Sequence, residues 1–166
     1  MIVHYAAIDD REQRQSAAET LLFFLLAGAA MLFATFTAAY LIRRAGPDWT
    51  PVPLPTAAFI AAGLLVLSSV TLHVKRLKVT IALGVLFAVV QAIAFRQLAQ
   101  AGVYLATSPH GSFFIMLTGV HAVHVLGGLL ALCAAAAGRA RVGLVAAWWH
   151  FVGGLWIYVL FMLKAL

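Results

Sequence analysis

His121 and His124 stand three residues apart in the run Thr118-Gly119-Val120-His121-Ala122-Val123-His124-Val125, and His150 stands in Ala147-Trp148-Trp149-His150-Phe151-Val152. Both runs are apolar enough to lie inside a bilayer. An ionisable side chain there is costly and by default marks a functional site. Neutral imidazole can ligate haem iron, copper or zinc, and histidine can relay protons. The alternative is that the rings hold helices together.

Spacing bears on that choice. His121 and His124 share one helix face. Gly128 lies under His124 and lets a neighbouring backbone approach, and Gly153 and Gly154 follow His150 on nearly the same face. With Ala140 as the turn between the two spans, His121 and His150 are about 14 Å apart along the axis, and His124 and His150 about 9 Å. Metal–nitrogen bonds are about 2 Å long, so one ion cannot join either pair within one chain. A site completed by another subunit stays open. Imidazoles bonding across helices are the better reading, and Trp148, Trp149 and Trp156 read as packing or interface anchors. No catalytic, cofactor-binding or metal set is assigned.

The elements that position these rings follow from composition. The chain is 64% hydrophobic and 10% charged, with mean hydropathy +1.03. Soluble domains carry about 25% charged residues, so this is an integral membrane protein. The acids are Asp9, Asp10, Glu12, Glu19 and Asp48, and none follows Asp48. Proton relays through membranes run on Asp, Glu and His, so this distribution speaks against a pump. The lone Cys133 excludes a disulfide within the chain and reads as a small packing residue. The basic residues are scattered through short loops, which suits topology signals and anionic headgroups and gives no nucleic-acid patch.

Residues 1–19 are polar, lack the features of a signal peptide and form a cytoplasmic segment ahead of a transmembrane domain over 20–166. Hydropathy predicts five spans near 20–42, 55–74, 79–99, 112–137 and 143–164, each close to the ~20 residues a bilayer requires. The fold class is therefore an all-α bundle of five transmembrane helices. Pro47, Pro51, Pro53 and Pro55 separate the first two spans. Short basic links, His73 to Lys78 and Gly138 to Val142, make their flanking helices antiparallel neighbours. Arg11, Arg14, Lys75, Arg76, Lys78, Arg139 and Arg141 fall on the amino-terminal side, and Arg43, Arg44, Arg96 and Lys164 on the other. The excess predicts a cytoplasmic amino terminus and an external carboxyl terminus. Ala30, Ala34 and Ala38 in the first span, and Gly84, Ala88 and Ala92 in the third, recur every fourth residue as small-residue packing stripes. Ser68, Ser69 and Thr71 can bond within their helix or across to another.

These segments resemble subunit III of the haem-copper terminal oxidases, the cytochrome c oxidase and quinol oxidase family. Its Thr-Gly-aromatic-His-Gly-x-His-Val signature is matched by Thr118, Gly119, His121, His124 and Val125. Gly111-Ser112-Phe113-Phe114 is similar to the Gly-Ser-x-Phe lead-in, and Trp148-Trp149-His150-Phe151-Val152 to Trp-x-Trp-His-Phe-Val. Weaker matches include Ala38-Ala39-Tyr40 with Arg44, Trp49 with the prolines, Leu67 to Leu72, and Leu83-Gly84-x-x-Phe87 with Gln91. The blocks run in family order over roughly residues 22 to 164. Five spans fit the short bacterial form. The chain departs from the pattern at three acids: Gly28-Ala29 stands where the family has Ser-Glu, Ala94 replaces the Glu of Gln-x-x-Glu-Tyr, and Gly153 replaces the Asp after Trp-His-Phe-Val.

The resemblance implies a multi-pass subunit of the bacterial cytoplasmic membrane with no haem or copper of its own. It would pack on subunit I within a complex that reduces oxygen to water and translocates protons, the haem and copper lying in subunits I and II. It implies phospholipid held in the helix clefts and structural roles for Gln91, Gly119, His121, His124, Trp149 and His150. Basic residues at the span edges attract anionic headgroups, at Arg43 and Arg44 on the external side or at Lys75, Arg76 and Lys78 on the cytoplasmic side. A quinol oxidase subunit III, or the related accessory subunit of nitric oxide reductase, fits the same residues. From another class, a haem-binding electron carrier would use the intramembrane histidines. A small transporter is disfavoured by the absence of an inverted repeat or paired broken helices.

Overall fold

The computed structural model describes residues 2–105 and 108–165; the side chains of residues 2–12 and 14, including Asp9, Asp10, Arg11, Glu12 and Arg14 of the charge comparison, lie outside the described set. Five helices follow in order: α1 (Ile2–Arg44), α2 (Thr56–His73), α3 (Leu77–Gln100), α4 (Pro109–Ala136) and α5 (Val142–Ala165). All five contain a stretch long and apolar enough to cross a membrane, that of α1 running over Gln15–Arg44. The hydropathy edge near residue 20 is therefore no helix boundary. The polar turns before it are rich in Ala, Glu, Gln and Arg, all good helix formers, so α1 continues through them.

Local chemistry explains where the helices stop. Pro55 precedes α2 in an extended conformation, and proline belongs at such an entrance because it has no N–H to leave unpaired. Ser108 caps α4 by accepting a hydrogen bond from the Gly111 N–H at 3.1 Å, with Pro109 next in the first turn. Gly102 and Gly138 adopt positive φ of 74° and 72° just beyond α3 and α4. The next N–H then reaches back to an otherwise orphaned carbonyl, Val103 to Leu98 at 3.0 Å and Arg139 to Ala134 at 2.8 Å. Lys75 makes the same turn after α2 with φ 58° and no glycine, and Arg76 N–H bonds Thr71 at 2.9 Å.

Helices α2, α3, α4 and α5 form a ring of neighbours, and α1 lies outside it across α4 and α5. Only 11% of the apolar window of α1 is buried, against 28–39% for the others. Its buried face carries Ala29, Phe33 and Tyr40. Thr37 and Tyr158 hydroxyls bond at 2.9 Å, and Arg141 pairs with Glu19 at 2.8 Å, fixing α1 against α5. Ala30, Ala34 and Ala38 point away from the bundle, so that stripe does not pack the fold. In α3 the stripe holds at Gly84 alone: Ala88 is half-buried, Ala92 is exposed, and the true inner face is Thr80, Gly84, Phe87, Gln91, Ala94 and Leu98. Cys133 is likewise exposed and is no core packing residue.

Candidate functional site

The interior is organised by two stacked pairs, each joining α4 to α5. His121 is fully buried and lies flat on Trp156, with ring centroids 4.8 Å apart and 16° between planes. Phe87 of α3 meets both edge-on, at 5.9 Å from His121 and 6.2 Å from Trp156. His124 stacks on Trp148 at 5.8 Å and meets Phe33 of α1 edge-on. Its Nδ1–H donates to the Val120 carbonyl at 2.7 Å, and Trp148 Nε1–H donates to the His124 carbonyl at 3.3 Å. His121 and His124 thus engage different turns of α5.

Trp149 is the keystone of the ring of helices. Its indole crosses from α5 into the space over Gly84 and Gly128: a Cβ added at Gly84 would fall 2.8 Å from the indole, and one at Gly128 3.0 Å from it. Gly128 therefore admits tryptophan rings, not the neighbouring backbone that its spacing suggested. Trp149 Nε1–H donates to Ser68 Oγ at 2.8 Å. Thr71 of α2 and Thr80 of α3 share a hydroxyl bond at 3.0 Å. The α2 hydroxyls thus bond both ways, Thr71 also donating to the Ser68 carbonyl of its own helix.

The other sequence-selected residues are dispersed. His150 is exposed and lines a groove of about 420 Å³ between α2 and α5 with Ser69, Val70, His73 and Gly154. It forms no hydrogen bond across helices. Neither does His121, whose Nδ1 and Nε2 are buried without a protein partner. Among the described residues the cross-helix imidazole bonding expected from sequence is absent at these positions: His121 and His124 are held by ring stacking, and His150 faces the groove. Gly119 has open space where a Cβ would stand, so no close approach requires glycine there. Gln91 is buried, with both amide atoms unpartnered. The positions lacking the family's acids are all internal: Ala29, Ala94 and Gly153 are buried.

Sequence reasoning missed His110. Its Nδ1 accepts from Val52 N–H at 3.2 Å and its Nε2–H donates to the Leu163 carbonyl at 3.2 Å. One ring therefore ties the proline-rich link to the end of α5. Trp49 and Tyr40 flank it edge-on at 5.5 Å and 6.1 Å, and Phe113 packs behind against Tyr40. The available signal was a histidine two residues past the Ser108 cap, but its partners are 58 and 53 residues distant and invisible to spacing.

At the same end Arg43 grips Asp48 through a two-bond pair, at 2.7 Å for Nη1–Oδ1. The guanidinium holds the Asp48 carboxyl below its usual range, so the pair is ionised at neutral pH and is lost only as pH falls through that depressed value. At the opposite end Lys75, Arg76 and Lys78 rim a hollow of about 510 Å³ closed by Ala135 and Ala136.

Among the described residues no three His, Cys, Asp or Glu side chains gather as a metal site. What the interior does is join helices, and with five membrane-crossing segments the chain is a multi-pass helical membrane protein. Comparison with known proteins narrows that class. No family model matches the chain. It is 31% identical over 170 residues to the cytochrome c oxidase subunit 3 of Synechocystis sp., covering 84% of this chain and 71% of that one. It is 30% identical over 166 residues to the Bacillus subtilis protein of the same name, covering 85% and 77%. A probable cytochrome c oxidase subunit 3 of Mycobacterium tuberculosis is 29% identical over 161 residues, covering 80% and 79%. The chain belongs to the cytochrome c oxidase subunit 3 family.

Proposed function

We propose that this chain is the subunit III of a haem-copper oxidase of the cytochrome c oxidase type, carrying no redox group and packing on the catalytic subunit I in a bacterial cytoplasmic membrane. The observation that carries the reading is the similarity to curated oxidase subunits over more than four-fifths of the chain. The interior supports the non-redox role. The buried His121 is stacked by Trp156 on one face and met edge-on by Phe87, so aromatic side chains of the bundle occupy the space a haem would need beside it. The amino terminus is cytoplasmic in this reading, on the side richer in Lys and Arg.

Helix α1 supports the mode of packing. A membrane helix with so little of its surface buried presents its outer face to lipid or to a partner helix. Ala30, Ala34 and Ala38 on that face would let a subunit I helix approach closely, as small residues do in membranes. Affinity tagging after gentle solubilisation should bring down haem-bearing subunits, while the separated chain should show no Soret band. Ala34→Phe should reduce co-purification several-fold and leave the helicity of the isolated chain unchanged. Stoichiometric haem on the separated chain, or full co-purification of the variant with retained haem, would remove the corresponding part of the reading.

Anionic phospholipid is the second partner proposed. Arg43 is already engaged by Asp48, whereas no ion pair reaches Lys75, Arg76 or Lys78 among the described residues. Each basic residue near a headgroup contributes ~1 kcal/mol, so the Lys75–Arg76–Lys78 hollow should hold lipid more firmly than Arg43 and Arg44. Native mass spectrometry should show lipid lost on changing Lys75, Arg76 and Lys78 to Gln, and largely kept on changing Arg43 and Arg44. Equal retention in both variants and the parent would exclude headgroup binding at either place.

A further inference from the structure

Gln91, Thr118, His121 and Trp156 together carry six buried polar atoms with no hydrogen-bond partner among the described residues: both ends of the Gln91 amide, Thr118 Oγ1, both His121 ring nitrogens and Trp156 Nε1. All four side chains are at most 3% exposed. They lie on three helices of the ring, with His121 stacked on Trp156. Phe87 touches both His121 and Trp156, so these three residues share one layer. Helices α3 and α4 are antiparallel neighbours. One turn on from Phe87 along α3, Gln91 lines a cleft with Ala122 and Val125 of α4, and Thr118 is buried one turn before His121 on α4. Beyond Gln91 on the same inner face stands Ala94, fully buried and offering only a methyl group.

Nothing among the described residues compensates these atoms, and lipid cannot. Orphaned polar groups in a bilayer cost several kcal/mol each. Buried polar groups in native proteins are paired, with ordered water where side chains do not reach. We propose that Gln91, Thr118, His121 and Trp156 form an internal water site at mid-membrane, joining α3, α4 and α5 through solvent. Internal waters make about three hydrogen bonds each, so the six atoms call for about two molecules. The inventory is compatible. The Gln91 amide and Thr118 hydroxyl both donate and accept, Trp156 Nε1–H donates, and a neutral His121 offers one donor and one acceptor. The family's interior acid is absent at Ala94, so the site binds by neutral groups and needs no counter-ion. It is independent of which oxidase the chain serves.

Trp149 provides the internal control, because it is as buried as Trp156 but its Nε1–H is bonded to Ser68. X-ray radiolytic labelling of the full chain in detergent or nanodiscs generates hydroxyl radicals from internal water and oxidises the side chains touching it. Trp156 should be labelled at least several-fold faster than Trp149. In Gln91→Leu/Thr118→Val the Trp156 rate should fall to that of Trp149. Equal rates for the two tryptophans in the unmodified protein, or an unchanged Trp156 rate in the double variant, would overturn the proposal. The comparison within the unmodified protein stands whether or not the variant folds.

Discussion

Trp149→Ala should destabilise the bundle by about 3 kcal/mol, the low end of the range for deleting a buried aromatic. The low end applies because lipid is as apolar as the interior, so the transfer contribution seen in water-soluble proteins is small. What remains is a void. The indole fills the space left by Gly84 and Gly128, and it is held from α2 by Ser68. Without it, α5 loses a side chain that touches α2, α3 and α4 together. Unfolding followed by circular dichroism during titration of a mild micelle with SDS should show the loss as a lower midpoint. Trp149→Phe separates the contributions. It keeps most of the ring and forfeits the Ser68 bond, for which interhelical bonds in membranes average ~0.6 kcal/mol. A phenylalanine variant as unstable as the alanine one would mean that the bond, and not the packing, dominates.

His110→Leu should cost about 2 kcal/mol, from two hydrogen bonds at roughly 1 kcal/mol each. The loss is local. Val52 N–H and the Leu163 carbonyl, one of the last four of α5, would both lose their partner. Residues 45–55 should become accessible to limited proteolysis while the α2–α5 ring persists, because Trp149 and Trp156 are untouched. His110→Asn, which can restore one of the two bonds, should lie between. Proteolysis at the parent rate in the leucine variant would show that ring packing against Tyr40 and Trp49 suffices to hold the link.

His150 shows how far a motif can be read. Its place in an apolar run made it a functional candidate, and the run is indeed membrane-spanning. Nothing in that run told which side of α5 faced inward. Within α5 nearly all residues are apolar, so the usual contrast between a wet and a dry helix face is missing, and burial on α5 was decided by the partners. Trp149 and Val152 turned in, which placed His150 on the outer groove. The alanine stripe of α1 failed for the same reason. Small residues at every fourth position mark a surface able to be approached, without saying whether the approaching helix belongs to the same chain.

The sequence by itself determined the membrane class, the five crossings, their antiparallel links and the family. These follow from local hydropathy, from proline and glycine at the helix ends, and from motif order. The tertiary structure alone decided that His121 and His124 are held by tryptophan rings, that His110 ties a loop to the end of α5, and that six polar atoms of α3, α4 and α5 are buried without a partner among the described residues. The physical reason is that lipid rewards apolar surface wherever it lies. In such a solvent inner and outer faces are set by which side chains interlock across helices, and interlocking depends on residues far apart in the chain.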